Sequence, residues 1–271
     1  MININTNYGS MYASKAASAS QRQMDVAMER LSTGLRINSA KDDAAGQAVA
    51  TRLTAESQGL AMASRNAADA QGLIDTAEGA LQETHTVLLR MRELAVQSAN
   101  GTLQSSDRSA IDAEFQQLEA EVNRVANNTK WAGTTLLSGA AVTFQVGTAN
   151  TSNDRITVTL PTATGTNLGI SALAANTVST AQAAITGIDS AIAKVSEMRG
   201  KLGAHSNRLN NTISNLDQIN VNLSASKGRI QDADFATETS NLAKSQILQQ
   251  AATAMLAQAN ASKQTVLTLI R

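Results

Sequence analysis

Few side chains in this sequence have the type and spacing of a catalytic or metal site. His85 and His205 each stand alone, without a second histidine at ligand spacing, and the chain contains no cysteine. A zinc site needs a cluster of such ligands. We therefore expect both histidines to be surface or helix-seam residues, and we predict neither a metal nor a cofactor.

Two short stretches carry part of a ligand-binding pattern. "MRGKLG" has a Gly-Lys pair but lacks the leading glycine and the preceding strand of a phosphate-binding loop. "DADFATE" offers the carboxylates of Asp232, Asp234 and Glu238, but the glycine and the remaining oxygen ligands of a calcium loop are missing. Acidic residues are favourable at the start of a helix. The stretch therefore predicts a helix start, and the sequence shows no enzyme.

The composition favours helices over any compact core rich in aromatic residues. Alanine fills 48 of 271 positions, against one Trp, two Tyr, three Phe and a single Pro. Such a composition is typical of long uninterrupted helices. Lys plus Arg and Asp plus Glu are 22 each, so no basic surface for nucleic acid is indicated. No apolar run is long enough to span a membrane.

Apolar residues at gaps of three and four indicate a helix at each end of the chain. In the first helix, over about residues 5–33, the apolar face includes Met24, Met28 and Leu31. In the last helix the stripe consists of Leu248, Ala252, Met255, Ala259, Val266 and Ile270. Terminal segments fray unless something covers them, so this stripe needs a partner.

The middle of the chain predicts a second set of long helices. A coiled-coil seam runs from about residue 44 to 99, a shorter helix follows around residues 111–125, and helical spacing returns from about 181 to 230. Between them the period changes to two, which predicts a β-hairpin near residues 141–161. Residues 127–139 and the stretch after Pro161 are predicted to be loop and polar connector.

These patterns together predict a mainly α fold, a nested antiparallel bundle of long coiled-coil helices with one β-hairpin packed on it. The first helix is expected to pair with the last. This arrangement gives a terminal-helix coiled-coil domain of residues 1–45 and 232–271, and a helical bundle with the hairpin over residues 46–231.

Several long motifs in order resemble one family, the bacterial flagellins. They are "LSTGLRINSAKDDAAGQAVATRL", "MRELAVQSANGT", the hairpin "VTFQVGTANTSNDRITVTL", and the C-terminal segment that begins "GRIQDADFATETSNLAKSQILQQ". The resemblance covers essentially the whole chain. Flagellins often insert variable outer domains after the hairpin, whereas here "LGISALAANTVST" runs almost directly into the returning helix. The chain therefore resembles a minimal flagellin.

The resemblance implies a structural subunit of the secreted, extracellular flagellar filament, the helical propeller of motility. The terminal domain would form the inner tube and the bundle the outer tube of a homopolymer. The self-assembly residues would then be those of the terminal stripes: Met24, Met28, Leu31, Leu248, Met255, Val266 and Ile270.

The family also implies further partners. The subunit would be exported unfolded through a type III apparatus, with a chaperone bound to its C-terminal helix before export. In the flagellum it would meet the filament cap at the growing tip and the hook–filament junction proteins. Flagellins with the "MRELAVQSANGT" motif are bound by the Toll-like innate receptor for flagellin. Carried over to this sequence, the receptor contacts would be Arg90, Leu94 and Glu114.

Two other classes of protein remain as alternatives at this stage. A hook–filament junction protein would share the terminal helices, although the hairpin and "MRELAVQSANGT" favour a flagellin. A membrane-active amphipathic-helix protein would need Trp or Phe and flanking basic residues on its helices, and the terminal stripes lack them.

Overall fold

The protein is mainly α in a computed structural model that describes residues 6–269, with side chains described from 6 to 263. Long helices pack against each other and a β-hairpin packs on one group of them, as predicted. The helices are α1 (Tyr8–Thr33), α2 (Ala44–Ser98), α3 (Ser105–Asn128), α4 (Gly165–Leu168), α5 (Val178–Gln231) and α6 (Phe235–Leu269). The strands are β1 (Lys130–Trp131), β2 (Thr134–Thr135), β3 (Ala141–Gln145) and β4 (Arg155–Thr159).

The chain divides into two compact units. The first unit holds both ends of the sequence, and the second runs from Glu56 to Val221. The sequence placed these boundaries ten residues away, at residues 45/46 and 231/232, where turn signals interrupt the helical pattern. The structural divisions instead fall inside α2 and α5. A division inside a continuous helix leaves no break in the apolar period, so the sequence could not indicate it.

In the first unit α1 packs on α6, and a connector closes the end of the pair. Gly34 ends α1 in the left-handed conformation, with φ of 73°, which glycine adopts without steric cost. Its carbonyl accepts from the N–H of Ala233 at 2.9 Å, and the N–H of Arg36 donates to the carbonyl of Gln231 at 2.7 Å. These backbone bonds tie residues 34–37 to the turn before α6.

In the second unit α2, α3 and α5 share one apolar core with the hairpin. Strands β3 and β4 pair in an antiparallel register, with Val142 opposite Val158 and Phe144 opposite Ile156. Ile156 and Val158 are buried in the helical core, and the Asn66 side chain donates to the carbonyl of Gln145 at 3.0 Å. An isolated hairpin is at best marginally stable. Burial of Ile156 and Val158 in the helical core and the hydrogen bond from α2 stabilise this one.

Two segments predicted to be irregular contain more structure than their sequence indicated. Residues 127–139 include the short antiparallel pair β1–β2. The predicted polar connector after Pro161 contains α4, and its apolar residues lie in the core: Ala163, Leu168, Ile170 and Ala175. A connector whose apolar residues follow no helical or strand periodicity can still be partly buried. Its few apolar side chains enter the core one at a time rather than along one face.

Polar residues that interrupt the predicted seam of α5 find partners on α2. The Arg199 guanidinium pairs with the Glu78 carboxylate at 2.8 Å, and the Ser57 hydroxyl lies 2.6 Å from Asn220 Oδ1. A paired polar group at a seam position fixes which residues face each other. These contacts therefore set the register of α2 against α5 within the second unit.

Candidate interaction surfaces

The three carboxylates of "DADFATE" have separate structural roles. Asp234 precedes α6 and accepts from the N–H groups of Ala236 at 2.9 Å and Thr237 at 3.3 Å. Glu238 pairs with Arg30 of α1 at 2.8 Å, while Leu35 and Asp232 form an isolated β-bridge. The stretch is a helix start, as predicted.

The cap at Asp234 makes the beginning of α6 sensitive to acid. Hydrogen bonds from the Thr237 N–H, the Thr237 hydroxyl and the Ala236 N–H hold the pKa of the Asp234 carboxyl below its usual value. A carboxyl whose pKa is lowered on folding stabilises the fold above its ordinary pKa. That contribution is lost as the pH falls through the lowered pKa.

Neither histidine belongs to a group of metal ligands within residues 6–263. His85 lies on α2 and His205 on α5, both partly buried, and no cluster of three His, Cys, Asp or Glu is present among the described residues. Over the same part of the chain, no helix has both the length and the apolar character needed to cross a membrane. What remains as a candidate for function is the surface of the helices.

Most buried positions of the seam between α1 and α6 hold small side chains, and they recur at heptad spacing. In α1 the buried positions are Ala13, Ser20 and Ala27, seven residues apart. In α6 they are Glu238, Ser245 and Ala252, again seven apart. Small residues allow two backbones to approach closely but bury little apolar area. The pairing is therefore close, with a small hydrophobic contribution.

Three polar contacts along the seam show that the two helices are antiparallel. The Asn7 amide donates to the carbonyl of Ala259 at 3.1 Å at one end, and Arg30 pairs with Glu238 at the other. Between them, the Gln249 amide donates to the side-chain oxygen of Gln21. Glu238 is only 6% exposed, so removing Arg30 would leave a buried, unpaired charge.

The large apolar residues predicted for self-assembly lie mostly off this seam. Met28, Leu248 and Met255 are 47%, 42% and 64% exposed, and Met24 and Leu31 are partly buried. The sequence placed Leu248 and Met255 on the same covered stripe as Ala252, but in the structure Ala252 alone of these three is buried. The side chain of Val266, in the last turns of α6, lies outside the described side chains, and Ile270 lies outside the described residues.

A shallow apolar groove runs between the exposed sides of α1 and α6. It encloses about 550 Å³. Small residues line its middle, and large side chains, Tyr12, Leu248 and Met255, stand along it. Exposed apolar surface of this kind on a helix pair indicates an interaction site. No described residue outside α1 and α6 lines it.

Sequence reasoning missed several residues of the same exposed surface. The large apolar side chains outside the predicted stripes are Tyr8, Tyr12, Val26, Phe235 and Ile247, each between 39% and 74% exposed. The sequence did contain a sign of this surface, because these apolar residues lie on the two paired helices but outside the heptad positions of the seam. A search for apolar residues on both sides of the seam would have found them.

A second candidate surface lies near the end of α2. Arg90 is half exposed and pairs with Glu114 of α3 at 2.9 Å and with Glu93 at 3.1 Å. Hydrogen bonding to Glu114 raises the pKa of the Arg90 guanidinium. Leu94, predicted to share this surface, is instead 2% exposed and belongs to the core of the second unit. It lies four residues after Arg90 on α2, with its side chain in the core.

Comparison with known sequences identifies the family at both ends of the chain. Residues 4–142 match the bacterial flagellin N-terminal helical region, and residues 185–270 match the bacterial flagellin C-terminal helical region. The chain is 45% identical over 271 residues to a flagellin of Halalkalibacterium halodurans, covering 99% of both proteins. It is 38% identical over 286 residues to the flagellar filament 33 kDa core protein of Treponema phagedenis, again covering 99% of both.

Solved structures agree with this relationship. The crystal structure of Bacillus cereus flagellin is 31% identical, with a TM-score of 0.51, covering 56% of this chain and 88% of that one. A flagellar hook-associated protein of Vibrio parahaemolyticus, described as putative, superposes with a TM-score of 0.61 over 70% of this chain and all of that chain. At 18% identity, that second similarity shows a shared fold alone.

Proposed function

Because the chain belongs to the bacterial flagellin family and is therefore a structural subunit of the flagellar filament, we propose that the exposed surface of α1 and α6 joins its copies. The observation that supports this proposal is a difference in side-chain size between the buried seam and the exposed surface of the helix pair. The seam inside one chain uses Ala and Ser, while the large apolar residues Leu248 and Met255 face outward. The family is structural, and no enzymatic step is proposed.

The energetics favour assembly over further packing within one chain. Covering one exposed Met or Leu side chain completely contributes roughly 1.5–3 kcal/mol, whereas the Ala and Ser of the internal seam bury far less area. A second copy laid along the groove would cover Leu248, Met255 and Tyr12 together. Repeated along a helical polymer, the terminal unit would form the inner tube and the second unit the outer tube.

The short chain fits a minimal flagellin. At 271 residues it matches the Halalkalibacterium flagellin end to end, while its alignment with flagellin D of Vibrio anguillarum extends over 375 residues at 34% identity. The extra length of that relative has no counterpart here, where α5 begins at Val178, soon after the hairpin. We propose an outer tube without additional outer domains.

Other partners follow from the same family. Export in an unfolded state suits terminal helices whose seam buries little area. A chaperone on the C-terminal helix would cover Ile247, Leu248 and Met255 before export. The filament cap and the hook–filament junction proteins would meet the same terminal unit at the two ends of the polymer, outside the cell.

Substitution on the outer side of α6 should weaken assembly without disturbing the subunit. The double variant Leu248→Ser and Met255→Ser keeps the buried Ala252 seam, so the helical content of the monomer should not change. The critical concentration for polymerisation, measured by sedimentation, should rise by about tenfold or more, since the apolar burial lost at the two positions together exceeds about 1.4 kcal/mol. Gln246→Ser, at an exposed polar position of the same helix, is the matched control. A double variant that polymerises like the control would contradict the proposal.

Recognition by the Toll-like innate receptor is proposed for the surface around Arg90 and Glu114, with Leu94 contributing through the stability of the same unit. Arg90→Ala should reduce receptor signalling by about tenfold or more, since a hot-spot contact is typically worth at least about 2 kcal/mol. The melting temperature should change little, because exposed ion pairs stabilise weakly.

Arg92→Ala is the control for this substitution, because Arg92 is similarly exposed and pairs with Asp189 of α5 at 2.6 Å. Equal loss of signalling in both variants would argue against a site centred on Arg90. The readout is a receptor-reporter assay with purified monomer.

A further inference from the structure

We propose that Asn100 is a site of spontaneous deamidation, where the backbone nitrogen of Gly101 converts the side-chain amide to aspartate and isoaspartate. Asn100–Gly101 is the single Asn-Gly pair in the sequence. It lies in the turn that joins α2 to α3, and both residues are exposed to solvent. This inference does not depend on how the subunits assemble.

In the turn, hydrogen bonding orients the Asn100 side chain but holds neither the leaving nitrogen nor the attacking nitrogen. Asn100 Oδ1 accepts a hydrogen bond from the Thr102 N–H at 3.2 Å, which folds the side-chain carbonyl toward the backbone that follows it. Among the described residues, nothing accepts from Asn100 Nδ2, and the Gly101 N–H donates to none of them. No hydrogen bond from the leaving nitrogen or from the attacking nitrogen to a described residue has to break before the reaction.

Gly101 presents no steric barrier to ring closure. A Cβ built at this position meets nothing within 4 Å, so the space around the peptide is open. Glycine reaches the backbone angles that a five-membered ring requires more easily than any other residue. Because Gly101 is not among the glycines with positive φ, an alanine can replace it without strain in the folded turn.

Asn38 provides the contrast within the same chain. It is followed by Ser39, another small residue, but the Ser39 N–H donates to Asp42 Oδ2 at 3.0 Å. The Asn38 amide nitrogen donates to the carbonyl of Leu35 at 3.3 Å. Attack there requires both bonds to break, so Asn38 should remain an amide while Asn100 changes.

The reaction consumes only water. The Gly101 nitrogen loses its proton and bonds to Cγ of Asn100, the Cγ–Nδ2 bond breaks, and ammonia leaves with that proton. A cyclic imide remains. Water then opens the ring at Cγ, which gives aspartate with the original chain path, or at the backbone carbonyl carbon, which gives isoaspartate with the chain running through Cβ and Cγ. No oxidant or cofactor is required.

The change falls at the end of α2. The carbonyl of Asn100 accepts from Arg108 Nη2 at 2.9 Å, and Arg108 Nε donates to the carbonyl of Ser98 at 3.0 Å. Isoaspartate adds a methylene to the main chain and turns that carbonyl into a free carboxylate that no longer belongs to the chain path. Aspartate keeps the main-chain path, and both products add one negative charge near the guanidinium. The isoaspartate form should therefore loosen the α2–α3 turn more than the aspartate form.

The test follows two tryptic peptides of the purified full-length protein incubated at mildly alkaline pH. Residues 93–108 contain Asn100, and residues 37–41 contain Asn38. Mass spectrometry measures deamidation, and isoaspartyl methyltransferase labelling separates isoaspartate from aspartate. We expect the Asn100 peptide to convert with both products, at a rate that rises with hydroxide concentration, while the Asn38 peptide converts at least about tenfold more slowly.

Gly101→Ala is the decisive variant, since it keeps the turn but crowds the attacking nitrogen, and should slow conversion at Asn100 by about tenfold. Circular dichroism and the melting temperature should match those of the original protein. An unchanged rate in Gly101→Ala, conversion without isoaspartate, or equal rates at Asn38 and Asn100 would each overturn the proposal.

Discussion

Removal of residues 236–271 should abolish filament formation and leave a soluble, helical monomer. The deletion takes away nearly all of α6, so α1 loses the seam residues Ser245 and Ala252 and the pairing partner of Arg30. Ordering a helix without a partner costs about 1–2 kcal/mol per residue in backbone entropy. The second unit keeps its own apolar core of α2, α3, α5 and the hairpin.

Two measurements check this expectation. Circular dichroism should show cooperative melting of the truncated protein, and electron microscopy with added filament seeds should show no elongation. Loss of cooperative melting would mean that the second unit needs the terminal helices to fold.

In the intact protein, amide exchange in α1 and α6 should be fast in the dilute monomer and slow in the filament. Slow exchange over residues 248–263 in the monomer would contradict the proposed dependence on neighbours.

Leu94→Ala should destabilise the second unit by about 2–5 kcal/mol, the range for deleting a buried leucine side chain. Leu94 is 2% exposed and packs in the same core as Phe115. For a unit of this size the melting temperature should fall by on the order of 10 °C. Signalling and assembly would then decline together, through loss of folded protein rather than loss of a surface contact.

Leu89→Ala is the matched control for this substitution. Leu89 lies five residues earlier on α2 and is 44% exposed, so its truncation should change the free energy of unfolding by no more than about 0.5 kcal/mol. Denaturant titration of the two variants at equal concentration gives both values. If Leu94→Ala melted like Leu89→Ala, the inward position of Leu94 would be wrong.

The sequence predicted the elements of the fold well because they are long and strongly periodic. The start of α2, the end of α1 and the position of the β3–β4 hairpin all agree with the structure to within a few residues. Such patterns repeat over many turns, so one irregular position does not hide them. The identity of the family rested on the order of several long motifs, and the comparisons confirmed it.

The sequence could not resolve which side of a terminal helix meets its partner. Leu248 and Met255 form the more hydrophobic stripe, yet the seam runs through Ser245 and Ala252. Hydrophobic periodicity identifies the most apolar face, and in a subunit that must also bind its copies this face and the internal seam differ. Arg90, Leu94 and Glu114 show a related limit, because motif residues matched by position alone include both surface and core side chains.

The heptad repeat of small residues between α1 and α6 does not by itself determine the register of the two helices. Only a few polar side chains distinguish one register from the next. Sliding one helix by a single heptad, about 10 Å, would again bring alanine or serine opposite alanine or serine, because positions 13, 20 and 27 and positions 245, 252 and 259 are nearly interchangeable. Asn7 with Ala259, Gln21 with Gln249, and Arg30 with Glu238 distinguish the observed alignment. The seam of small residues therefore permits several registers of α1 against α6, and these three polar contacts select one of them.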